Sequence, residues 1–349
     1  MNCCMIVNPG LETLAQQELR ELLDIPSSVS PGVVSFEIAG KEELWKLAQH
    51  SQSARRLLIS LGRYARLEDI QLDAFPWKDL VAPHLSFKVE VENIKGNDVR
   101  MAIAKQIAAK VCAVVEQKLA FPLSIELRQP DLLVVVYATG KEYVVGMDVC
   151  GEMDARAYRL FAHPGSFKGD IGYFLARMAV VQPRQRIIVG WMKDGTLAIE
   201  AALFLNKVAL GRSTRIPWLQ GMKVESKAFS SESAIAAFDE SQPNCVASRK
   251  NARLAKVDVE FHKFSLDELD VKYTTEEFDR ALFHVTMKDE DKINELYYQS
   301  HFILKPKGKL LIFGRKSWDL SISNKFTLLK KGEIVRGEST HAWWLLEKR

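Results

Sequence analysis

The stretch "IVGWMKDGTLAIEAAL", residues 188–203, sets Lys193, Asp194, Gly195, Thr196 and Glu200 inside otherwise apolar sequence. An apolar strand entering a turn and then a helix is how nucleotide- and cofactor-binding loops are built, with glycine letting the backbone approach the ligand. Most of the glycines usual in such a loop are missing here. Further on, Asp239 ends the apolar run "AIAAFD". An acid at a strand end accepts hydrogen bonds from ribose hydroxyls, and an aspartate there equally caps the helix through "CVASRKNARLA". His284 ends "FDRALFH" and reads first as a hydrogen-bonded strand-end histidine. The five cysteines, Cys3, Cys4, Cys112, Cys150 and Cys245, have no zinc-ligand spacing, so no metal is expected. No Ser/His/Asp or paired-carboxylate constellation stands out.

The elements that must position these residues follow from periodicity. "CCMIV" is strand-like, and Leu11, Leu14, Ala15, Leu19 and Leu22 then recur at helical spacing. With "GVVSFEI" and "KEELWKLAQHSQSARRLLISL" this predicts a βαββα unit of ferredoxin type over residues 1–60. "LSFKVEVE" alternates as a half-buried strand. Asp98 is expected to cap the following helix, whose apolar face runs through Val99, Ile103, Ile107, Val111 and Val114. "LSIELR", "DLLVVVYA" and "EYVVGMDV" follow as strands, closing a second unit over 61–152. Residues 153–168, rich in Gly, Arg and small residues, read as a linker. From 169 to 349 helices alternate with the apolar runs "RQRIIVG", "AIAAFD", "VDVEFHKF", "FDRALFHV" and "GKLLIFG". That alternation predicts an α/β domain with a mostly parallel, doubly wound sheet and a ligand at the strands' carboxyl ends. In "HAWWLLEKR" one tryptophan is expected in the core and the other partly exposed.

Composition sets the limits. A chain of 349 residues can bury two or three cores. Its 47% hydrophobic and 26% charged residues are ordinary for a soluble globular protein. No apolar run approaches a membrane span, and "MNCCMIVNPG" lacks the pattern of a signal peptide, so a cytoplasmic address is expected. The formal charge of +4 permits a polyanionic partner without requiring one.

The order of pieces resembles a known family. "LSFKVEVENIKGNDVRMAIAKQIAAKV" with "QPDLLVVVYATGKEYVVGMDVCGE" looks like a THUMP domain, an RNA-binding module of tRNA-modifying enzymes. "YRLFAHPGSFKGDIGYFLARMA", "GTLAIEAAL" and "KPKGKLLIFG" resemble the class I, Rossmann-like domain of THUMP-type, S-adenosylmethionine-dependent RNA guanine methyltransferases. The resemblance implies cofactor contacts from Lys193, Asp194, Gly195, Thr196 and Asp239. The family pattern Asp-Pro-Phe-Cys-Gly-Ser-Gly-Thr reads here Val189 to Thr196, with Lys193 at the first glycine. A lysine there can pair with the cofactor's carboxylate, but it also crowds the pocket and repels the sulfonium. Where the family has an Asn/Asp-Pro-Pro-aromatic turn, this chain has His284-Val285-Thr286-Met287. In that turn an amide side chain and a carbonyl accept from the base's exocyclic amine while the aromatic ring stacks on it. His284, the Val285 carbonyl and Met287 are the implied substitutes. By the same analogy Arg63, Arg66, Lys105, Lys110, Arg156, Arg159 and Lys168 face RNA; read alone they are solvated surface charges. The implied partner is structured RNA, tRNA first, with room for a protein subunit. Two functions stay open: guanosine methylation, or RNA recognition by a catalytically inactive relative.

Overall fold

The computed structural model describes residues 1–223, 230, 232–286, 289–318, 320–336 and 339–349. It divides into two compact units, Met1–Met153 with Gly211–Val224, and Asp154–Leu210 with Glu225–Arg349.

The first unit runs β1 (Asn2–Ile6), α1 (Glu12–Leu23), β2 (Ser27–Ser30), β3 (Val33–Glu37), α2 (Lys41–His50), β4 (Arg56–Tyr64), β5 (Ser86–Glu92), α3 (Asn97–Leu119), β6 (Ser124–Ile125), β7 (Leu132–Ala138) and β8 (Tyr143–Asp148). All eight strands form one sheet in the order β2-β3-β1-β4-β8-β7-β5-β6. Strand β4 pairs with β1 on one side and β8 on the other, so the two expected amino-terminal segments share a sheet. The sequence explains each strand's place. β7, LLVVVYA, is buried at every residue and lies inside the sheet, whereas β5 alternates buried and half-buried residues along SFKVEVE. The α3 boundary differs from expectation: Gly96 is the N-cap, and Asp98 makes no cap hydrogen bond, sitting instead in the first turn. Val115 continues the buried face through Ile103, Ile107 and Val111, while Val99, on the same face in the first turn, is exposed.

The second unit runs α4 (Gly169–Met178), β9 (Arg186–Gly190), α5 (Thr196–Leu205), β10 (Ala234–Asp239), α6 (Gln242–Ala255), β11 (Glu260–Lys263), α7 (Leu269–Lys272), β12 (Phe278–His284), α8 (Glu290–Ile303), β13 (Leu304–Arg315), β14 (Phe326–Arg336) and β15 (Ser339–Lys348). The sheet order is β11-β10-β9-β12-β13-β15-β14, with the first five strands parallel. β15 runs antiparallel between β13 and β14. The chain proceeds outward from β9 through β10 and β11, then returns to β12 on the other side. That reversal opens a crevice at the carboxyl ends of β9 and β12. The core behind it joins Ile188, Phe238, Phe264, Phe283 and Ile312. Trp343 and Trp344 are both buried, at 4% and 8% exposure, correcting the expectation of one partly open ring. The two side chains point to opposite faces and each face is covered: Trp343 meets Phe174 of α4, and Trp344 joins the core.

Candidate functional site

The site is built on the turn between β9 and α5. Helix α5, TLAIEAALFL, is apolar all round and buried along nearly its whole length, so its one charge, Glu200, needs a partner. Arg156 donates from Nε at 2.7 Å and from Nη2 at 3.0 Å, and the Tyr158 hydroxyl donates at 2.8 Å. Gly169 at the start of α4 makes room for this pair, since a Cβ there would lie 2.3 Å from Arg156 Nε. Asp194 is equally enclosed. It accepts from Arg159 Nη2 at 2.9 Å, Ser166 Oγ at 2.6 Å, Thr196 Oγ1 at 2.8 Å and the His163 amide at 3.2 Å. Burial pushes its carboxyl up, but the Ser166 hydroxyl, the Arg159 guanidinium and Thr196 outweigh that and hold it below the usual range.

Residues 153–168, expected as a linker, therefore pack beneath the turn. Asp194 and Thr196, expected at the cofactor, turn inward to this hub. Arg156, with its side chain 1% exposed, and Arg159 pair with carboxylates instead of facing a phosphate. The missed partners, Tyr158, His163, Ser166 and Phe167, carry no periodicity. A glutamate in an otherwise apolar helix signalled a buried donor such as Tyr158; nothing comparable pointed to the other three.

The other side of the turn faces a cavity of about 260 Å³ lined by His163, Trp191, Lys193, Asp239, Asn244 and Lys292. Glu240, Ser241, Val285 and Thr286 complete its wall. Trp191, Lys193 and Gly195 all have positive φ, at 52°, 54° and 80°. The turn thus takes a left-handed path at two side-chain-bearing positions, a conformation that costs about 1–2 kcal/mol per residue. At Gly195 a Cβ would also come within 2.9 Å of the Ser248 Cβ, so this glycine is needed for space as well. Asp239 is not the N-cap of α6, which is Ser241, but it braces the residues that open that helix. Its Oδ1 accepts from the Ser241 amide at 3.0 Å and Asn244 Nδ2 at 2.9 Å, and its Oδ2 from the Lys193 amide at 3.0 Å, while the residue still lines the cavity.

The two altered motifs meet. Lys193 Nζ lies 2.8 Å from His284 Nδ1, across 91 residues of sequence. A charged ammonium can only donate, so His284 accepts at Nδ1 and carries its proton on Nε2. The ring packs in a three-ring cluster with Phe167 and Phe313, with centroids at 5.0 and 5.2 Å. The imidazole nitrogen that could accept from a base's amine is thereby taken by Lys193. The Val285 amide donates to the Phe313 carbonyl at 2.9 Å, and Val285 borders the cavity. Met287 lies outside the described residues. Asp239 would offer its carboxylate to the nucleoside half of S-adenosylmethionine, whereas the Lys193 side chain on the same wall would set a positive charge against a cationic sulfonium.

The remaining expected RNA contacts lie in the first unit or at the edge of the second. Arg63 binds Glu142 and the hydroxyls of Ser30 and Ser35; Arg66 pairs with Asp69. Lys110 donates to the carbonyls of Leu67, Glu68 and Ile70, holding that loop. Lys168 pairs with Asp154 at 2.9 Å, and Lys105 is exposed on α3. Among the described residues no helix is long and apolar enough to cross a membrane, and no group of three His, Cys, Asp or Glu side chains could hold a metal.

Comparison with known proteins agrees with this architecture. Residues 156–306 match the family described as UPF0020, RMKL-like, methyltransferase domain. A tRNA (guanine(6)-N2)-methyltransferase of Methanocaldococcus jannaschii is 22% identical over 61% of this chain and 58% of its own. One of the same description from Archaeoglobus fulgidus is 25% identical over 58% and 53%. The chain thus spans little more than half the length of these relatives. Among solved structures, TrmN from Thermus thermophilus superposes with a TM-score of 0.75 at 21% identity, covering 100% of this chain and 99% of that one. SMU.472, solved in complex with SAH, gives 0.76 at 17% identity over 100% and 98%. The fold of these two structures is shared.

Proposed function

We propose that this chain is an RNA-binding protein of the THUMP methyltransferase type, one that recognises structured RNA, with tRNA as its first target. In this reading residues 1–60 form the ferredoxin-like domain and 61–152 the THUMP domain, and the methyltransferase fold of 169–349 contributes to recognition without transferring a methyl group. The tRNA guanine-N2 methyltransferases among its relatives support the choice of RNA. Relatives of this kind also support the competing reading, methylation of a guanosine in tRNA.

One observation supports the first reading: the Lys193–His284 hydrogen bond. An exocyclic amine is a poor nucleophile and needs acceptors for its hydrogens as it attacks. Here the substituted side chain is committed as an acceptor to a lysine, and that lysine adds positive charge beside the place of a cationic methyl donor.

The test uses the full chain, bulk tRNA and labelled S-adenosylmethionine. Expected are tRNA binding that weakens steeply with salt, no calorimetric heat with the cofactor and no label in RNA. Methyl transfer that disappears in Asp239→Ala would establish the enzyme reading instead. Failure to bind tRNA at low salt would remove the RNA reading.

A further inference from the structure

The cavity has kept an acid at the ribose position and acquired a lysine in the turn. In doubly wound folds the turn after the first strand is where a ligand's phosphates lie, against the start of the following helix. Lys193 sits in that turn, 8% exposed, and lines the cavity. Its side chain is held by His284, whose ring packs against both Phe167 and Phe313. The ammonium is therefore held in place and does not sweep through solvent. Lys292, at the start of α8, borders the same cavity. The acids of the wall are Asp239, tied to the Lys193 amide, the Ser241 amide and Asn244, and Glu240, which is exposed.

We propose that this cavity binds a ribonucleoside 5′-phosphate and discriminates against the sulfonium nucleoside that the fold usually holds. The Asp239 carboxylate takes the ribose hydroxyls, and the Lys193 ammonium takes the phosphate. A lysine binds phosphate as a point charge. The same charge that excludes the sulfonium thus becomes the recognition element. The phosphate belongs to a free nucleotide or to a nucleotide of a bound RNA chain; the recognising chemistry is the same.

Calorimetry on the full chain tests this with the four ribonucleoside 5′-monophosphates, their nucleosides, inorganic phosphate and S-adenosylmethionine. At least one monophosphate should bind about tenfold or more tighter than its own nucleoside, as a charge-assisted hydrogen bond implies. It should also bind tighter than inorganic phosphate and S-adenosylmethionine. Lys193→Met should remove the advantage of phosphate while leaving nucleoside affinity in place. Lys193→Arg should retain the advantage, and Lys193→Gly should admit S-adenosylmethionine. tRNA that competes with the nucleotide assigns the phosphate to RNA, and tRNA that binds alongside it assigns a free nucleotide. The proposal is overturned by S-adenosylmethionine binding as tightly as every monophosphate, by an advantage that survives Lys193→Met, or by no nucleotide binding at all. These outcomes are independent of whether the amino-terminal unit binds RNA.

Discussion

Lys193 and Asp194 are neighbours of opposite charge in one turn, and the two sides of that turn are built differently. On the inner side Asp194 and Glu200 are each surrounded by several donors from residues 156–166, and every contact serves the chain itself. On the outer side the Lys193 ammonium meets the His284 imidazole and the residue lines a cavity. The inner side sets the path of the backbone, because two buried carboxylates without their partners would be costly. The outer side tolerates substitution because the path does not depend on it. This is how Lys193 occupies a left-handed position suited to glycine while the turn keeps its shape: the surrounding contacts over-determine the conformation.

The comparison breaks most visibly at Glu200. Glu200→Ala leaves the Arg156 guanidinium buried without its carboxylate, which should cost about 3–5 kcal/mol. Urea denaturation measures it, and a loss below about 1 kcal/mol would mean that the pair is not what holds the turn. Asp194→Asn keeps the shape and removes the charge from the hub. A loss of about 1.5–3 kcal/mol is expected, the range for hydrogen bonds to a charged group. The pH dependence has a definite sign. The Asp194 carboxyl is held below its ordinary value of 3.8, so its contribution is fully present above that pH. It is lost as pH falls through the lower folded-state value. The wild type should therefore lose stability between pH 4 and 2 more steeply than Asp194→Asn, by about 1.4 kcal/mol for each unit by which the group is lowered. Parallel acid limbs in the two proteins would contradict this.

Sequence reading recovered the second unit's element order because its parallel strands are uninterrupted apolar runs, as in RIIVG and AIAAFD, whose burial requires helices on both faces. It placed Asp239 at a strand end for the same reason, and Gly195 in the turn that enters α5. It misplaced Asp194 because a turn has no periodicity from which to tell inside from outside. It treated the changes at Lys193 and His284 as two separate losses, whereas the fold joins them in one hydrogen bond. Contacts between residues that distant in sequence leave no local trace. Arg156, Arg159 and Lys110 were read as surface cations because charge alone does not reveal burial. A carboxylate in an apolar helix, Glu200, was the available clue to Arg156 alone.

The mildest expected effect lies on the outer side, at Lys193→Gly. Removing the side chain relieves a left-handed residue, a gain of about 1–2 kcal/mol. Against that stand the lost Lys193–His284 hydrogen bond, about 0.5–1.5 kcal/mol, and the greater freedom of glycine in the unfolded chain, about 0.5–1 kcal/mol. These nearly cancel, so the stability of Lys193→Gly should stay within about 1 kcal/mol of wild type, with an unchanged denaturant slope. Its neighbour Asp194→Asn, in the same turn, should lose clearly more. If Lys193→Gly proved as damaging as Asp194→Asn, the lysine would be part of what shapes the turn, and the division between an inner structural side and an outer ligand-facing side would not hold.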